Sequence, residues 1–150
     1  MKKVISICLL SFMLLTVMQT SFAQFRSIPS EVTEALKAKY PSATNVTWSD
    51  KITAFVAKFT QDNAKYEAKF GNKGEWQGSV KDLTQDNIPQ AVKDGFSKSM
   101  YADWKVKNQH EIFLPVDSIQ YHIQVTKGDL QKRNLLFSRT GKLLKDNATL

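Results

Sequence analysis

Twice along this chain a helical hydrophobic period gives way to the two-residue period of strands, and both passages start from the same short phrase. Ile28-Pro29-Ser30-Glu31-Val32 recurs as Ile88-Pro89-Gln90-Ala91-Val92. After the first phrase Ile28, Val32, Ala35, Leu36 and Tyr40 share one helical face, until Pro41 ends the pattern. After the second, Ile88, Val92, Phe96 and Met100 repeat the stripe. Gly95 stands where the first stripe has Ala35, at a cost of about 1 kcal/mol in helix propensity. Either a close approach of helix to sheet or plain tolerance of a glycine accounts for it. Alternation then takes over: Phe55, Ala57 and Phe59, then Tyr66, Ala68 and Phe70, and later Tyr121, Ile123 and Val125 before a strand through Phe137. Asp62-Asn63, Gly71 to Gly74, Gly128-Asp129 and Thr140-Gly141 supply turns, with a short strand expected at Glu75 to Gly78. The correspondence of Phe70 with Phe137 and of Gly74 with Gly141 places an insertion between Trp104 and Tyr121. The pattern predicts an α+β fold made as a tandem repeat, each copy one helix followed by about four antiparallel β-strands. Residues 24–83 form the first copy and residues 84–150 the second. Each is too small to bury much surface alone, and one helix covers only one face of its sheet.

The first 23 residues are of another kind. Met1-Lys2-Lys3 is basic, Val4 to Met18 is almost unbroken apolar sequence, and Ser21-Phe22-Ala23 has the small-x-small form of an export cleavage site. Residues 1–23 are therefore expected to be a signal peptide, with the mature chain starting at Gln24 in the periplasm or outside the cell. The one cysteine, Cys8, falls inside the apolar segment and too early in it for a lipid-modified cysteine. The mature chain then has no disulfide, no thiolate metal site and no thiol nucleophile. The apolar run is short for a membrane span, and nothing later in the chain matches it in length. No stable membrane insertion is expected after cleavage.

The formal charge of +7 loses two charges with Lys2 and Lys3, and the remaining lysines are dispersed among acids. Lys132-Arg133 is the only compact basic pair, which argues against nucleic acid as a partner. No Gly-x-Ser-x-Gly or Ser-x-x-Lys motif occurs, and no acids are spaced as a paired-carboxylate site or a calcium loop. The chain is read as no enzyme, with no catalytic residue and no cofactor. If a hairpin turns near Val116, His110 and His122 face each other across its strands, while Glu111 points to the opposite face. A third ligand is not evident, so no metal is assigned. Trp76 follows a turn on a short strand, and with Lys58, Glu67 and Lys69 nearby it has hot-spot composition, an apolar anchor in a polar surround. Trp76, Lys58 and Lys69 are the protein-binding candidates. Filling of the core beneath a helix is the competing reading for each tryptophan.

The ordered set Ile28-Pro29-x-x-Val32, Lys39-Tyr40-Pro41, Ala43-x-x-Val46-x-Trp48, Tyr66-x-x-x-Phe70 and Gly74-x-Trp76 resembles the PepSY-like, beta-lactamase-inhibitor-like family of small secreted bacterial proteins. Ile88-Pro89-x-x-Val92, Tyr121-x-Ile123-x-Val125, Leu135-x-Phe137 and Gly141-Lys142-Leu143-Leu144 extend the resemblance over nearly all of the mature chain. It implies a plan similar to the beta-lactamase inhibitor protein, whose sheets offer a concave surface to an enzyme. The chain departs from that protein in having no disulfides, and Ser99-Met100-Tyr101-Ala102 replaces the Lys-Tyr-Pro ending of the first helix. The expected function is an exported, non-catalytic protein-binding or inhibitor-like module, with an envelope or extracellular protein as partner. The alternative is a small-ligand or metal carrier.

Overall fold

The computed structural model describes residues 26–148. The segment assigned to the signal peptide lies outside the described residues. Helix α1 (Ser30–Lys39) leads into strands β1 (Thr44–Asp50), β2 (Ala54–Gln61), β3 (Ala64–Gly71) and β4 (Trp76–Asp82). A short 3-10 turn and helix α2 (Gln90–Ser97) precede β5 (Lys105–Leu114), β6 (Ser118–Lys127), β7 (Gln131–Ser138) and β8 (Leu143–Ala148). All eight strands belong to one antiparallel sheet in the order β1 to β8.

This corrects the expected α+β tandem repeat of separate helix-plus-sheet copies. The described residues are mostly β, a single eight-stranded sheet carrying two short helices. The element that overturns the expectation is β5. It pairs with β4 from Ser79↔Phe113 to Asp82↔His110 and with β6 along nearly its whole length, so the sheet runs through without a break. Hydrophobic alternation reports which side chains are buried, but not which backbone edge a strand joins.

Pro29 caps α1 from an extended conformation just outside the helix, where its missing N–H costs nothing. The backbone N–H of Tyr40 closes the other end on the Leu36 carbonyl. Val32, Leu36 and Tyr40 are buried against Phe55, Ala57, Phe59, Ala68 and Phe70. Helix α2 sets Val92 against Tyr121, Ile123, Val125, Leu135 and Phe137. Met100, expected on the stripe of α2, is 80% exposed, whereas Tyr101 is buried. The helix stops at Ser97, and the Ser99 hydroxyl donates to the Phe96 carbonyl and accepts from the Tyr101 N–H, which turns Tyr101 inward.

Strand alternation followed through the registers places both cores on the same side of the sheet. Phe59 pairs with Tyr66, Tyr66 with Lys81, Lys81 with Glu111 and Glu111 with Tyr121, so all of these residues share the helix-bearing face. Between the cores that face carries polar side chains beside Phe113. The buried Ser79 hydroxyl accepts from Tyr40 Oη and from Trp76 Nε1, each at 2.7 Å, and Tyr121 Oη donates to Glu111 Oε1 at 2.8 Å.

The turns follow their sequence. Asp62 and Asn63 both take positive φ, as a two-residue hairpin of the primed type requires. Outermost strand β1 bulges between Thr44 and Thr47, with Asn45 at φ 53°. Gly95 has a steric purpose: a Cβ there would overlap the carbonyl oxygen of Gly141, in the turn between β7 and β8. Gly141, at φ 80°, is packed as closely against Ala91.

Three outcomes follow from this packing. Gly95→Ala, which in an open helix gains about 1 kcal/mol, should here destabilise the protein by about 1 to 3 kcal/mol in denaturant titration, because backbone rather than a flexible side chain must move. Ser79→Ala should cost about 1 to 3 kcal/mol by leaving two donors without an acceptor. Burial, and then the bond to Glu111, push the Tyr121 phenol up to about 12. An unfolded tyrosine titrates near 10, so stability present below about pH 10 should be lost progressively as pH rises to about 12. Tyr121→Phe should flatten that decline, followed by thermal melting across alkaline pH.

Candidate functional site: the uncovered sheet face

Among the described residues no helix lies on the second face of the sheet. It is made by the alternate residues: Thr47 and Ser49 on β1, Val56 and Lys58 on β2, Glu67 and Lys69 on β3, and Val80 and Asp82 on β4, with Ile112, His122 and Asn134 among those that follow. From β1 to β5 an open depression of about 470 Å³ is bordered by Thr47, Lys58, Glu67, Val80, Asp82 and His110. Val80, Ile112 and Leu114 line an adjoining shallow recess with Lys69. An aliphatic floor bordered by charged side chains is the composition of a protein contact.

Lys58 and Lys69 lie on this face, as the strand period requires. Lys58 pairs directly with Glu67, its Nζ 3.5 Å from Glu67 Oε2, and both side chains are more than half exposed. Such a pair adds little stability and leaves the lysine available to a partner. Trp76 is elsewhere. A bulge in the β3–β4 pairing sets it opposite Phe70, on the helix-bearing face, half-buried against the first core. Lys39 Nζ sits 3.6 Å from the centre of the indole, a cation–π contact. The structure therefore brings Lys58, Glu67 and Lys69 together and separates all three from Trp76. Trp76 instead borders a cleft of about 430 Å³ with Lys39, Tyr40, Tyr66, Phe113 and Ile119.

His110 and His122 are cross-strand partners on the uncovered face, and Glu111 points the other way, as the hairpin symmetry predicted. Their Nδ1 atoms are 3.2 Å apart. Asp82 Oδ1 lies 3.4 Å from His110 Nε2, and Asn134 Oδ1 is 3.0 Å from His122 Nε2. Asp82 and Asn134 escaped the sequence reading because they join the histidines only through the β4–β5 and β6–β7 pairings, which have no local signal. Burial holds the His110 pKa below its ordinary value; the Asp82 carboxylate opposes that shift and His122 adds to it.

Among the described residues no group of three or more His, Cys, Asp or Glu side chains is arranged to hold a metal, and no helix is long and apolar enough to cross a membrane.

A family model described as "Putative beta-lactamase-inhibitor-like, PepSY-like" matches residues 53–145. Among solved structures, a BLIP-like protein from Bacteroides fragilis is similar with a TM-score of 0.79 and 28% identity, over 84% of this chain and 89% of that one. A protein from Bacteroides eggerthii described as "putative periplasmic" is similar with a TM-score of 0.75 and 30% identity, over 82% of this chain and 90% of that one. No curated protein matches. The chain belongs to the PepSY-like, beta-lactamase-inhibitor-like family.

Proposed function

We propose that the protein is an exported, non-catalytic module that binds an envelope or extracellular protein, in inhibitor-like fashion, across the uncovered face of its sheet. The observation that carries this reading is the continuous face itself: eight strands wide, with both helices on the other side and an aliphatic floor at Val80 and Ile112. Membership of an inhibitor-like family and the description of a similar protein as periplasmic support it. Lys58 and Lys69 then act on orientation and encounter rate, as charges at the border of a contact do. Trp76 is the candidate anchor of a separate contact at the cleft beside α1. The alternative, a small-ligand carrier, draws on that same cleft, whose walls are largely aromatic and aliphatic.

Photo-crosslinking in the native envelope separates these readings. A crosslinker placed at Val80 or Ile112 should capture one discrete protein, and one placed at Lys37, on the exposed side of α1, should not. Reversing the charge of Lys58 and Lys69 should weaken that complex mainly at low salt. Equal capture from both faces, or a small ligand copurifying in stoichiometric amount with no adduct from Val80, would displace the protein-binding reading. Trp76→Ala should weaken a complex that reaches the cleft by more than about 1 kcal/mol. Loss of about 3 to 5 kcal/mol in the free protein would instead assign Trp76 to the core.

A further inference from the structure

Each histidine of the cross-strand pair has an oxygen near its far nitrogen, Asp82 Oδ1 at 3.4 Å from His110 Nε2 and Asn134 Oδ1 at 3.0 Å from His122 Nε2. The orientation of the Asn134 amide is itself set by a ladder along the face. Gln124 Nε2 donates to Asn134 Oδ1 at 3.3 Å, and Asn108 Nδ2 donates to Gln124 Oε1 at 3.0 Å. The two Nδ1 atoms lie 3.2 Å apart, a hydrogen bond when one of them carries the hydrogen and two facing lone pairs when both imidazoles carry it on Nε2, toward Asp82 and Asn134. In the second tautomer both lone pairs are available to one cation, which replaces the hydrogen of the first.

We propose that His110 and His122 bind one divalent transition-metal ion of the Zn²⁺ class through their Nδ1 atoms, on the uncovered face of the sheet. The spacing is compatible with a tetrahedral ion. Two nitrogens bonded at about 2.0–2.1 Å to a tetrahedral ion are about 3.3 Å apart, whereas right-angled ligands of a square-planar ion are about 2.9 Å apart. The observed 3.2 Å is close to the tetrahedral edge. The ion lies to one side of the line between the nitrogens, and each imidazole turns about its Cβ–Cγ bond to aim its lone pair. Imidazole with a carboxylate or amide oxygen on its other nitrogen is the usual outer shell of a histidine-bound metal, and it raises the basicity of the ligand. No third side chain completes the set among the described residues, so the remaining positions are filled by water or by a group from a bound protein. Imidazole ligation excludes Ca²⁺ and Mg²⁺, which require oxygen.

Only two histidines occur in the whole chain, so the imidazole resonances of the tag-free protein report the site directly. Titration with Zn²⁺ should saturate at one ion per chain, with both histidines shifting together in NMR spectra and Mg²⁺ having no effect. His110→Ala and His122→Ala should each weaken uptake by at least about tenfold, and Asp82→Asn by up to about tenfold through the outer shell. His110→Gln and His122→Gln keep a polar side chain on the strand should either alanine variant fold poorly. Absence of Zn²⁺ uptake, uptake that persists undiminished in the histidine variants, or binding that leaves the imidazole resonances unmoved would overturn the site.

Discussion

The pairing of β4 with β5 is the constraint on which the rest of the molecule depends. Through the run from Ser79↔Phe113 to Asp82↔His110, strands that follow α1 and strands that follow α2 become one sheet. Because side chains alternate strictly along a strand, this register also decides which residues share a face across the seam. A slip of one residue would move Ile112 and His110 beneath the helices and bring Glu111 and Phe113 out. The observed register instead puts both helices on one side and assembles the bare face from both halves of the chain.

The seam explains why the two cores stay distinct on the helix side. Where they would meet, β4 and β5 contribute Ser79, Lys81 and Glu111, each engaged by a neighbour: Ser79 by Tyr40 and Trp76, Glu111 by Tyr121 and, at 4.0 Å, by Lys81. Directional bonds of this kind hold the two packed regions in fixed relation, although Gln109 Oε1, buried nearby on β5, has no hydrogen-bond partner among the described residues. The family match spans the seam, which suits a design in which the two parts position one another.

Much of this was legible in the sequence wherever the signal is local. The helix starts at Pro29 and Pro89, the Asp62-Asn63 turn and the buried Phe55, Phe59, Phe70 and Phe137 follow from propensity, turn chemistry and period. The facing of His110 and His122 was legible too, since a hairpin fixes its own register. What stayed hidden depends on distant pairing or on a small irregularity. The continuous sheet rests on β4 meeting β5, and Asp82 and Asn134 reach the histidines only by that route and its counterpart between β6 and β7. Trp76 changed sides because one extra residue in β4 bulges between Gly78 and Trp76, and simple alternation carries no mark of it.

A sheet eight strands wide still has two raw margins, and their form bears on how the molecule behaves in a crowd. Along β1 the bulge at Thr44 to Thr47 and the left-handed Asn45 spoil the straight run of amide groups that another chain needs for docking. At the far margin Lys145, Asp146 and Asn147 of β8 are exposed, and the Asp146 carboxylate bonds to the Tyr101 hydroxyl and Arg133. Charged and irregular borders discourage strand-by-strand stacking. The sheet can thus leave a broad face open without its margins seeding fibres.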